Sequence, residues 1–174
     1  MSRPIFLLGM MGAGKSSVGR ALAIRRGVAF IDLDVRIERM FGRSITAMFE
    51  QGEPSFRAYE RLALSSLLAE PGFGHSGPVV ATGGGIVEDP RNLAAIQAIG
   101  FCVYLKVGIA TAVERLGRES ERARRPLLAD CDLEARLREL LDRREPLYAS
   151  AGAIVDAEGD IAAVVEAISR AAVD

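Results

Sequence analysis

Short runs of apolar residues alternate along this chain with segments of helical periodicity. The runs cover residues 5–8, 28–31, 79–82, 101–107 and 153–155. Runs that contain so few polar residues are typical of strands buried on both faces of a sheet. Strands that alternate with helices predict a parallel sheet with helices on both faces. The pattern therefore predicts an α/β protein with five parallel strands.

Helix boundaries are indicated by capping residues, proline and glycine. The first helix starts near Lys15, the second ends at Gly42, and Ser44 is the expected N-cap of a third at 45–51. The composition of residues 71–78 predicts a loop. The remaining predicted helices cover about 54–69, 90–99, 110–117, 132–145 and 160–172.

A glycine-rich loop joins the first strand to the first helix, with the spacing Gly9-x-x-x-x-Gly14-Lys15-Ser16. Glycines at 9, 12 and 14 let successive backbone N–H groups turn inward around an anion, and the helix start adds its positive dipole end. Lys15 can reach the outer phosphates, and the Ser16 hydroxyl can reach a magnesium ion. The loop therefore predicts a site for a nucleoside triphosphate.

Two other interpretations of this loop are less favoured. A glycine-rich turn could match by chance, but chance does not explain the strand before it and the helix after it. A dinucleotide-binding loop requires a further glycine three residues after Gly14, where this chain has Ser17. We reject that second interpretation.

Length and charge limit the classes of function. The 174 residues suffice for one domain with a substantial core and are short for two, so we expect a single domain over 1–174. The apolar fraction of 49% is that of an ordinary globular protein. A net charge of −1 gives no overall attraction to nucleic acid or to an anionic membrane, so we expect neither as a partner.

Cysteine and histidine usage bears on the compartment. Cys102, Cys131 and His75 match no metal-binding or redox spacing. The chain enters a strand at once, without a signal peptide, and has no apolar stretch of membrane-spanning length. We therefore expect a protein of a reducing compartment, located in the cytoplasm.

Chemically suggestive residues follow each of the first three predicted strands. The glycine loop follows the first strand, Asp32 and Asp34 follow the second, and three glycines at 83–85 follow the third. Ligands of parallel sheets bind beyond the carboxyl ends of the strands. We therefore expect these residues to line one cleft.

The two aspartates have different expected roles. Asp32 and Asp34 point to the same side if the strand continues through both, because side chains alternate along a strand. One carboxylate could hold magnesium through water, and the other could orient or deprotonate an acceptor hydroxyl. A helix N-cap is an equally valid interpretation of Asp34 from local sequence alone.

An arginine and a glutamate three residues apart, Arg57 and Glu60, share one face of a predicted helix. A surface ion pair of small energetic value is the usual explanation of such a pair. Alternatively, the glutamate holds the guanidinium ready to receive a carboxylate through two hydrogen bonds. The local sequence leaves both interpretations open.

An arginine-rich stretch lies between Arg115 and Arg125. It contains five arginines, at 115, 118, 122, 124 and 125, and is followed by Pro126. A solvated charged loop is the usual interpretation of such a run. In a protein with a phosphate-binding loop, the same run suits a mobile lid whose arginine contacts the transferred phosphoryl group and excludes water.

Taken together, the motifs resemble the shikimate kinase family, whose members phosphorylate the 3-hydroxyl of shikimate with ATP. The resemblance spans nearly the whole chain and keeps the family order. The matching motifs are the glycine loop, Asp32-x-Asp34, Gly42-Arg-Ser-Ile45, Gly52-Glu53 with Phe56-Arg57 and Glu60, Gly83-Gly-Gly85, Arg125-Pro-Leu-Leu128 and Arg144-Glu-Pro-Leu-Tyr148.

The resemblance implies a role for each matching residue. The implied catalytic residues are Lys15, Asp34 and Arg125. The implied ATP-binding residues are Gly12, Ala13, Gly14, Lys15, Ser16, Ser17, Arg115 (over the adenine) and Arg125. The implied substrate-binding residues are Asp34, Phe49, Phe56, Arg57, Gly83, Gly84, Gly85 and Arg144. The implied ligands of Mg²⁺ are Ser16 and, through water, Asp32.

The resemblance also implies an architecture. It implies a P-loop fold like that of nucleoside monophosphate kinases, with strand order 2-3-1-4-5. Within it, a substrate-binding region would cover about 33–61 and a lid about 116–129. The expected protein is a monomer whose small-molecule substrates are ATP and shikimate.

Two alternative functions share parts of this pattern. A related small-molecule kinase, for gluconate or a nucleotide, would share the loop, the sheet and the lid, but would not need Arg57, Arg144 and the glycine triplet together. A nucleotide-dependent switch or binding module without turnover would need neither Asp34 nor Arg125. Both alternatives are therefore less favoured.

Overall fold

The centre of the fold is a parallel sheet, seen in a computed structural model that describes residues 3–117 and 132–172. Within these residues the sheet has five strands in the order β2-β3-β1-β4-β5, as predicted. The strands are β1 (Ile5–Leu8), β2 (Phe30–Asp32), β3 (Val79–Ala81), β4 (Phe101–Lys106) and β5 (Ala153–Asp156).

Helices connect the strands and cover the sheet. The described helices are α1 (Lys15–Arg26), α2 (Leu33–Phe41), α3 (Ile45–Phe49), α4 (Glu53–Leu68), α5 (Phe73–Ser76), α6 (Pro90–Ile99), α7 (Ile109–Leu116), α8 (Leu133–Ala151) and α9 (Ile161–Ala171), with a 3₁₀ helix at Ile86–Glu88. None of these helices combines the length and apolarity that crossing a membrane requires.

Strand β1 lies in the middle of the sheet and is buried along its whole length. Phe6 pairs with Val80 of β3 on one side and with Cys102 of β4 on the other. A strand flanked by strands and covered by helices meets apolar surroundings on both faces, which explains its unbroken apolar sequence. The loop after β1 is thereby fixed at the centre of the carboxyl edge.

The end of β2 differs from the prediction. The strand stops at Asp32, and Leu33 already begins α2. The carboxylate of Asp32 accepts hydrogen bonds from the backbone N–H groups of Asp34 and Val35, so Asp32 is the N-cap. The condition under which Asp32 and Asp34 would point to the same side, a strand that continues through both, is therefore not met, and the alternative that Asp34 caps the helix is wrong. Asp34 instead lies in the first helical turn, where the helix dipole favours a carboxylate.

The longest helix, α8, also differs from the prediction, which ended it at 145. It continues through Pro146 to Ala151. Proline lacks an N–H and usually ends a helix. Here the residues beyond it are held by packing, because Tyr148 is fully buried and its ring stacks on Tyr104 at a centroid distance of 5.0 Å. Tertiary contacts therefore outweigh the local effect of Pro146.

Two short helical turns were not predicted from the sequence. The predicted loop at 71–78 contains α5, whose Phe73 is buried against Phe6 at a centroid distance of 6.2 Å. The 3₁₀ helix follows the glycine triplet directly. Each turn is too short to show a helical period in sequence.

Candidate active site

Three neighbouring strands deliver their loops to one edge of the sheet. β1 pairs with β3, and β3 pairs with β2, all in parallel. Their carboxyl ends carry the glycine loop, the glycine triplet at 83–85 and Asp32 respectively. These segments contact one another, as expected of a single cleft: Ser16 bonds to Asp32, and Asp34 lies beside Gly83.

The glycine loop after β1 closes onto the start of α1. Gly14 is the N-cap residue and has φ 86°, a left-handed conformation that favours glycine. The first helical hydrogen bond is donated by Val18 N to Gly14 O, so the N–H groups of the first turn point toward the cleft. The Lys15 ammonium donates to Gly9 O at 2.7 Å and to Met10 O at 2.9 Å. Lys15 is thus held across the mouth of the loop, the place where an anion would meet it.

Ser16 and Asp32 meet where the glycine loop faces the end of β2. The Ser16 hydroxyl donates a hydrogen bond to Asp32 Oδ2 at 2.7 Å. Hydroxyl and carboxylate oxygens are ligands that suit Mg²⁺, which commonly takes the rest of its shell from water and phosphate. Residues 3–117 and 132–172 contain no cluster of three or more His, Cys, Asp or Glu side chains that could hold a metal by itself. The pair therefore fits a Mg²⁺ ion that arrives with a nucleotide.

Arg115 lies on the other side of the glycine loop, at the end of α7. Its guanidinium donates to Gly12 O at 3.2 Å and to Ala157 O, in the loop between β5 and α9, at 3.0 Å. In that second loop the Glu158 carboxylate accepts hydrogen bonds from Gly108 N and the Thr111 hydroxyl. Arg115 thus joins the phosphate side of the cleft to the loop after β5.

The glycine triplet links the two halves of the cleft. A methyl group on Gly83 would lie 2.8 Å from Glu60 Oε1 and 3.0 Å from Asp34 Oδ1, and one on Gly85 would overlap the Arg57 guanidinium. These positions need glycine because side chains approach the backbone closely, not because of the sign of φ. A methyl group on Gly84 would lie 3.6 Å from Gly9 O, in ordinary contact with the glycine loop.

Arg57 lies in a cage of carboxylates. Nη1 donates to Glu60 at 3.0 Å, and Nη2 donates to Glu53 at 2.7 Å and to Glu88 at 3.2 Å. Only 17% of the Arg57 side chain is exposed. The predicted pairing of Arg57 with Glu60 is therefore present, but it is a largely buried contact within a network and not an isolated surface ion pair.

Arg144, on α8, is a fully buried arginine with 0% exposure. Its Nη2 donates to Glu88 at 2.8 Å. Nε and Nη1 are buried without a hydrogen-bond partner in the described part of the chain, and Nη1 lies beside Gly84. Buried guanidinium nitrogens require acceptors, so this position is prepared for an anionic ligand.

Tyr148, one helical turn beyond Arg144, fixes α8 against the glycine triplet. Its buried hydroxyl donates a hydrogen bond to Gly84 O. Burial raises the pKa of the Tyr148 phenol well above its usual range, so the hydroxyl stays protonated and remains a donor. The contact sets the position of Arg144 relative to Gly84.

Glu60, in the middle of α4, has an unusual protonation equilibrium. Burial raises the pKa of its carboxyl to about 7, although the neighbouring Arg57 guanidinium acts in the opposite direction. The nearby Asp34 carboxylate contributes further to the rise. The carboxyl therefore titrates near neutral pH, beside Arg57.

The shifted pKa of Glu60 predicts a pH-dependent stability. The pKa rises from 4.5 to about 7 on folding, so the stabilisation is fully present below pH 4.5 and is lost as the pH passes 7. Relative to Glu60→Gln, the free energy of unfolding of the wild type should fall by roughly 1–3 kcal/mol between pH 5 and 8. Urea unfolding of both proteins across this range measures the difference. The exposed Glu139→Gln variant is the control, with no expected trend, and a difference that stays constant or grows with pH would contradict the prediction.

Two aromatic side chains border the arginine side of the cleft. Phe49 of α3 and Phe56 of α4 stack with ring centroids 4.4 Å apart. Phe56 is buried, while Phe49 is half-buried. The Arg57 guanidinium lies 5.4 Å from the Phe56 ring centre, which places this stack next to the carboxylate cage.

Sequence analysis assigned no role to three residues that the structure brings into the cleft: Glu53, Glu88 and Tyr148. Tyr148 stands four positions after Arg144, the helical spacing that a helix continued past Pro146 would have revealed. Glu53 stands four positions before Arg57, the spacing of a helical ion pair, whereas Glu88 carries no comparable signal. Arg125 and most of the lid predicted at 116–129 lie outside the described residues.

Comparison with known proteins decides between the kinase families. A family model for shikimate kinase matches residues 11–172. The chain belongs to the shikimate kinase family. A shikimate kinase from Xanthomonas euvesicatoria pv. vesicatoria is 44% identical over 145 residues, covering 83% of this chain and 76% of that protein.

Solved structures agree with membership of the shikimate kinase family. A shikimate kinase from Acinetobacter baumannii, solved in complex with shikimate, aligns with a TM-score of 0.89 at 34% identity and covers 98% of this chain and 92% of that one. A gluconokinase from Sinorhizobium meliloti 1021 aligns with a TM-score of only 0.63 at 18% identity, over 98% of this chain and 91% of that one. The second likeness shows a shared fold alone.

Proposed function

We propose that this chain transfers the γ-phosphoryl group of ATP to the 3-hydroxyl of shikimate, giving shikimate 3-phosphate and ADP, a step of aromatic amino acid biosynthesis. One observation carries the proposal. The fully buried guanidinium of Arg144, two of whose nitrogens have no partner among the described residues, lies beside Gly84, and a methyl group on Gly84 would touch the glycine loop. An anion-binding group for the acceptor is thereby placed next to a binding loop for the triphosphate.

The nucleotide half of the site binds ATP through the glycine loop. The backbone N–H groups of the loop and of the first turn of α1, residues 12–17, surround the phosphates, and Lys15 contacts the outer ones. Ser16 and Asp32, which are joined by a hydrogen bond, would hold the Mg²⁺ ion, Asp32 through water. When bound, Mg²⁺ neutralises negative charge on the phosphates. Arg115 lies toward the adenine, between the glycine loop and the loop after β5.

The acceptor half of the site matches a small ring with one carboxylate and several hydroxyls. Arg144 and Arg57 bind the carboxylate by charge-assisted hydrogen bonds. Gly83, Gly84 and Gly85 let the ring approach the backbone, and the aromatic stack of Phe49 and Phe56 borders the pocket. Asp34, which lies beside Gly83, accepts a hydrogen bond from the 3-hydroxyl.

The chemical step is an in-line displacement. The oxygen of the 3-hydroxyl forms a bond to the γ-phosphorus, and the bond between that phosphorus and the β,γ-bridging oxygen breaks, which releases ADP. Asp34 aims the hydroxyl and is the nearest base for its proton. Lys15 stabilises the charge that develops on the phosphoryl oxygens. Arg125 is proposed to do the same from its position after the arginine-rich stretch.

The proposal is tested by the choice of acceptor. ADP release in a coupled assay is measured with shikimate, gluconate, a nucleoside monophosphate and no acceptor. We expect release with shikimate only, because neither other acceptor combines one carboxylate with a compact ring. Release with gluconate or a nucleotide would favour a related kinase, and release without acceptor would favour a hydrolytic or switch function.

A further inference from the structure

Glu88 lies where the two arginines of the acceptor pocket converge. Its Oε2 accepts a hydrogen bond from Arg144 Nη2 at 2.8 Å and another from Arg57 Nη2 at 3.2 Å. A single carboxylate oxygen thus bridges both guanidinium groups. The 3₁₀ helix that carries Glu88 follows Gly85 directly, so this carboxylate stands at the edge of the proposed pocket.

The hydrogen bond from Arg144 to Glu88 limits how Arg144 can bind another carboxylate. A guanidinium can hold a carboxylate by two parallel bonds along either of two edges, Nε with Nη2 or Nη1 with Nη2. Both edges include Nη2, the atom that Glu88 binds. The other two nitrogens are buried and lack a partner among the described residues. Nη2 has one N–H group on each edge, and Glu88 takes one of them. A second carboxylate that bound along that edge would therefore meet Glu88 at Nη2.

Arg57 is limited in the same way, because the N–H groups of its Nη2 already have partners. Its Nη2 has two N–H groups, and both are used, one by Glu53 and one by Glu88. Nη1 is engaged with Glu60. Departure of Glu88 would release one N–H on each arginine at the same place, which is what a bridging carboxylate needs.

Charge leads to the same conclusion. Three carboxylates, those of Glu53, Glu60 and Glu88, contact Arg57, and Glu88 also contacts Arg144. A substrate carboxylate that joined Glu88 on the same nitrogens would suffer strong repulsion from it in a buried site. If the substrate carboxylate replaces the Glu88 carboxylate on these nitrogens, the net charge around the two arginines stays the same.

We propose that Glu88 is a specificity-determining residue whose carboxylate occupies the substrate-carboxylate position in the unliganded enzyme and is replaced there by the carboxylate of shikimate. The inference rests on the proposed function. Acceptors without a carboxylate cannot take the place of Glu88 on both arginines, so they are disfavoured. Arg143 provides a position for the displaced side chain, because its Nη2 lies 2.6 Å from Glu88 Oε1 and half of its side chain is exposed.

The test is the affinity of Glu88→Gln for shikimate, measured by isothermal titration calorimetry without ATP. Glutamine keeps an acceptor oxygen but removes the charge that competes with the substrate. We expect the Kd to fall by about tenfold. This is the gain if Glu88 leaves about one tenth of the wild-type molecules able to bind shikimate, whereas nearly all molecules of the variant can bind it. The KM for shikimate should fall in parallel, with kcat within about twofold of the wild type.

The matched control is Glu53→Gln. It removes the same charge from the same nitrogen of Arg57 but does not touch Arg144, so its Kd should fall by clearly less than that of Glu88→Gln. An affinity of Glu88→Gln that is unchanged or weaker, or a gain no larger than that of Glu53→Gln, would overturn the proposal. Loss of structure does not tighten binding, so the expected result has no merely structural explanation.

A second variant, Glu88→Asp, tests the inference if Glu88→Gln folds poorly. Glu88→Asp keeps the charge but withdraws the carboxylate by one methylene group from the bridge between the arginines, and tighter binding is again expected. Failure of the proposed function looks different, because the wild type itself would then neither bind shikimate nor release ADP with it. A wild type that binds and turns over shikimate while neither Glu88 variant binds it more tightly would refute this inference alone.

Discussion

Replacement of Asp34 by asparagine is expected to lower kcat for shikimate phosphorylation by about 10²–10⁴-fold, the usual contribution of a positioned acid–base group. Asparagine has nearly the same shape, so the contacts of this side chain with Gly83 should persist. It lacks the negative charge that we propose orients the hydroxyl and accepts its proton. The KM values for both substrates should change much less than kcat, because binding depends mainly on the arginines and the glycine loop.

Steady-state kinetics at saturating ATP and shikimate measure this effect, with thermal unfolding as a check of the fold. Asp142→Asn makes the same change on the exposed face of α8 and should leave kcat within about twofold. A kcat for Asp34→Asn within about fivefold of the wild type, below the usual range for such a group, would remove Asp34 from the chemical step.

Replacement of Arg144 by lysine should raise the KM for shikimate by roughly ten- to several-hundredfold and leave the KM for ATP within about twofold. Lysine keeps the positive charge but cannot offer two parallel N–H groups to a carboxylate. The loss of one charge-assisted hydrogen bond, at about 1.5–3 kcal/mol, sets the size of the change. Because Arg144 is fully buried, the remaining ammonium cannot be solvated easily and should also destabilise the fold.

Calorimetric titration with shikimate and, separately, with a non-hydrolysable ATP analogue separates the two affinities. Arg138→Lys is the control, because Arg138 lies on the same helix with 61% of its side chain exposed. Equal losses for both ligands in Arg144→Lys would mean that Arg144 supports the whole cleft and does not bind the acceptor carboxylate.

Local sequence was sufficient for the sheet and for the phosphate loop. β1 and the loop after it are defined by an apolar run, three glycines and a lysine within twelve residues, from Ile5 to Ser16. Capping residues such as Ser44, whose hydroxyl accepts from Ala47 N, likewise act within a few positions. Features encoded over such short distances were predicted correctly.

Features that depend on contacts between residues far apart in the sequence were not predicted correctly. The end of β2 is an exception, because the capping by Asp32 that begins α2 at Leu33 is a local contact that the sequence left open. Pro146 suggested a helix end, whereas the burial of Tyr148 kept the helix intact. The place of Glu88 in the cleft could not be predicted, because it depends on contacts with two arginines that are 31 and 56 positions away in the chain.

The anchoring of α8 by Tyr148 has a consequence for how this chain tolerates insertions. Arg144 is positioned from the carboxyl-terminal side, through the hydroxyl of Tyr148 on Gly84 and the stacking of Tyr148 on Tyr104. These contacts lie within the described residues, so we expect an insertion before α8 to leave Arg144 in its place beside Gly84.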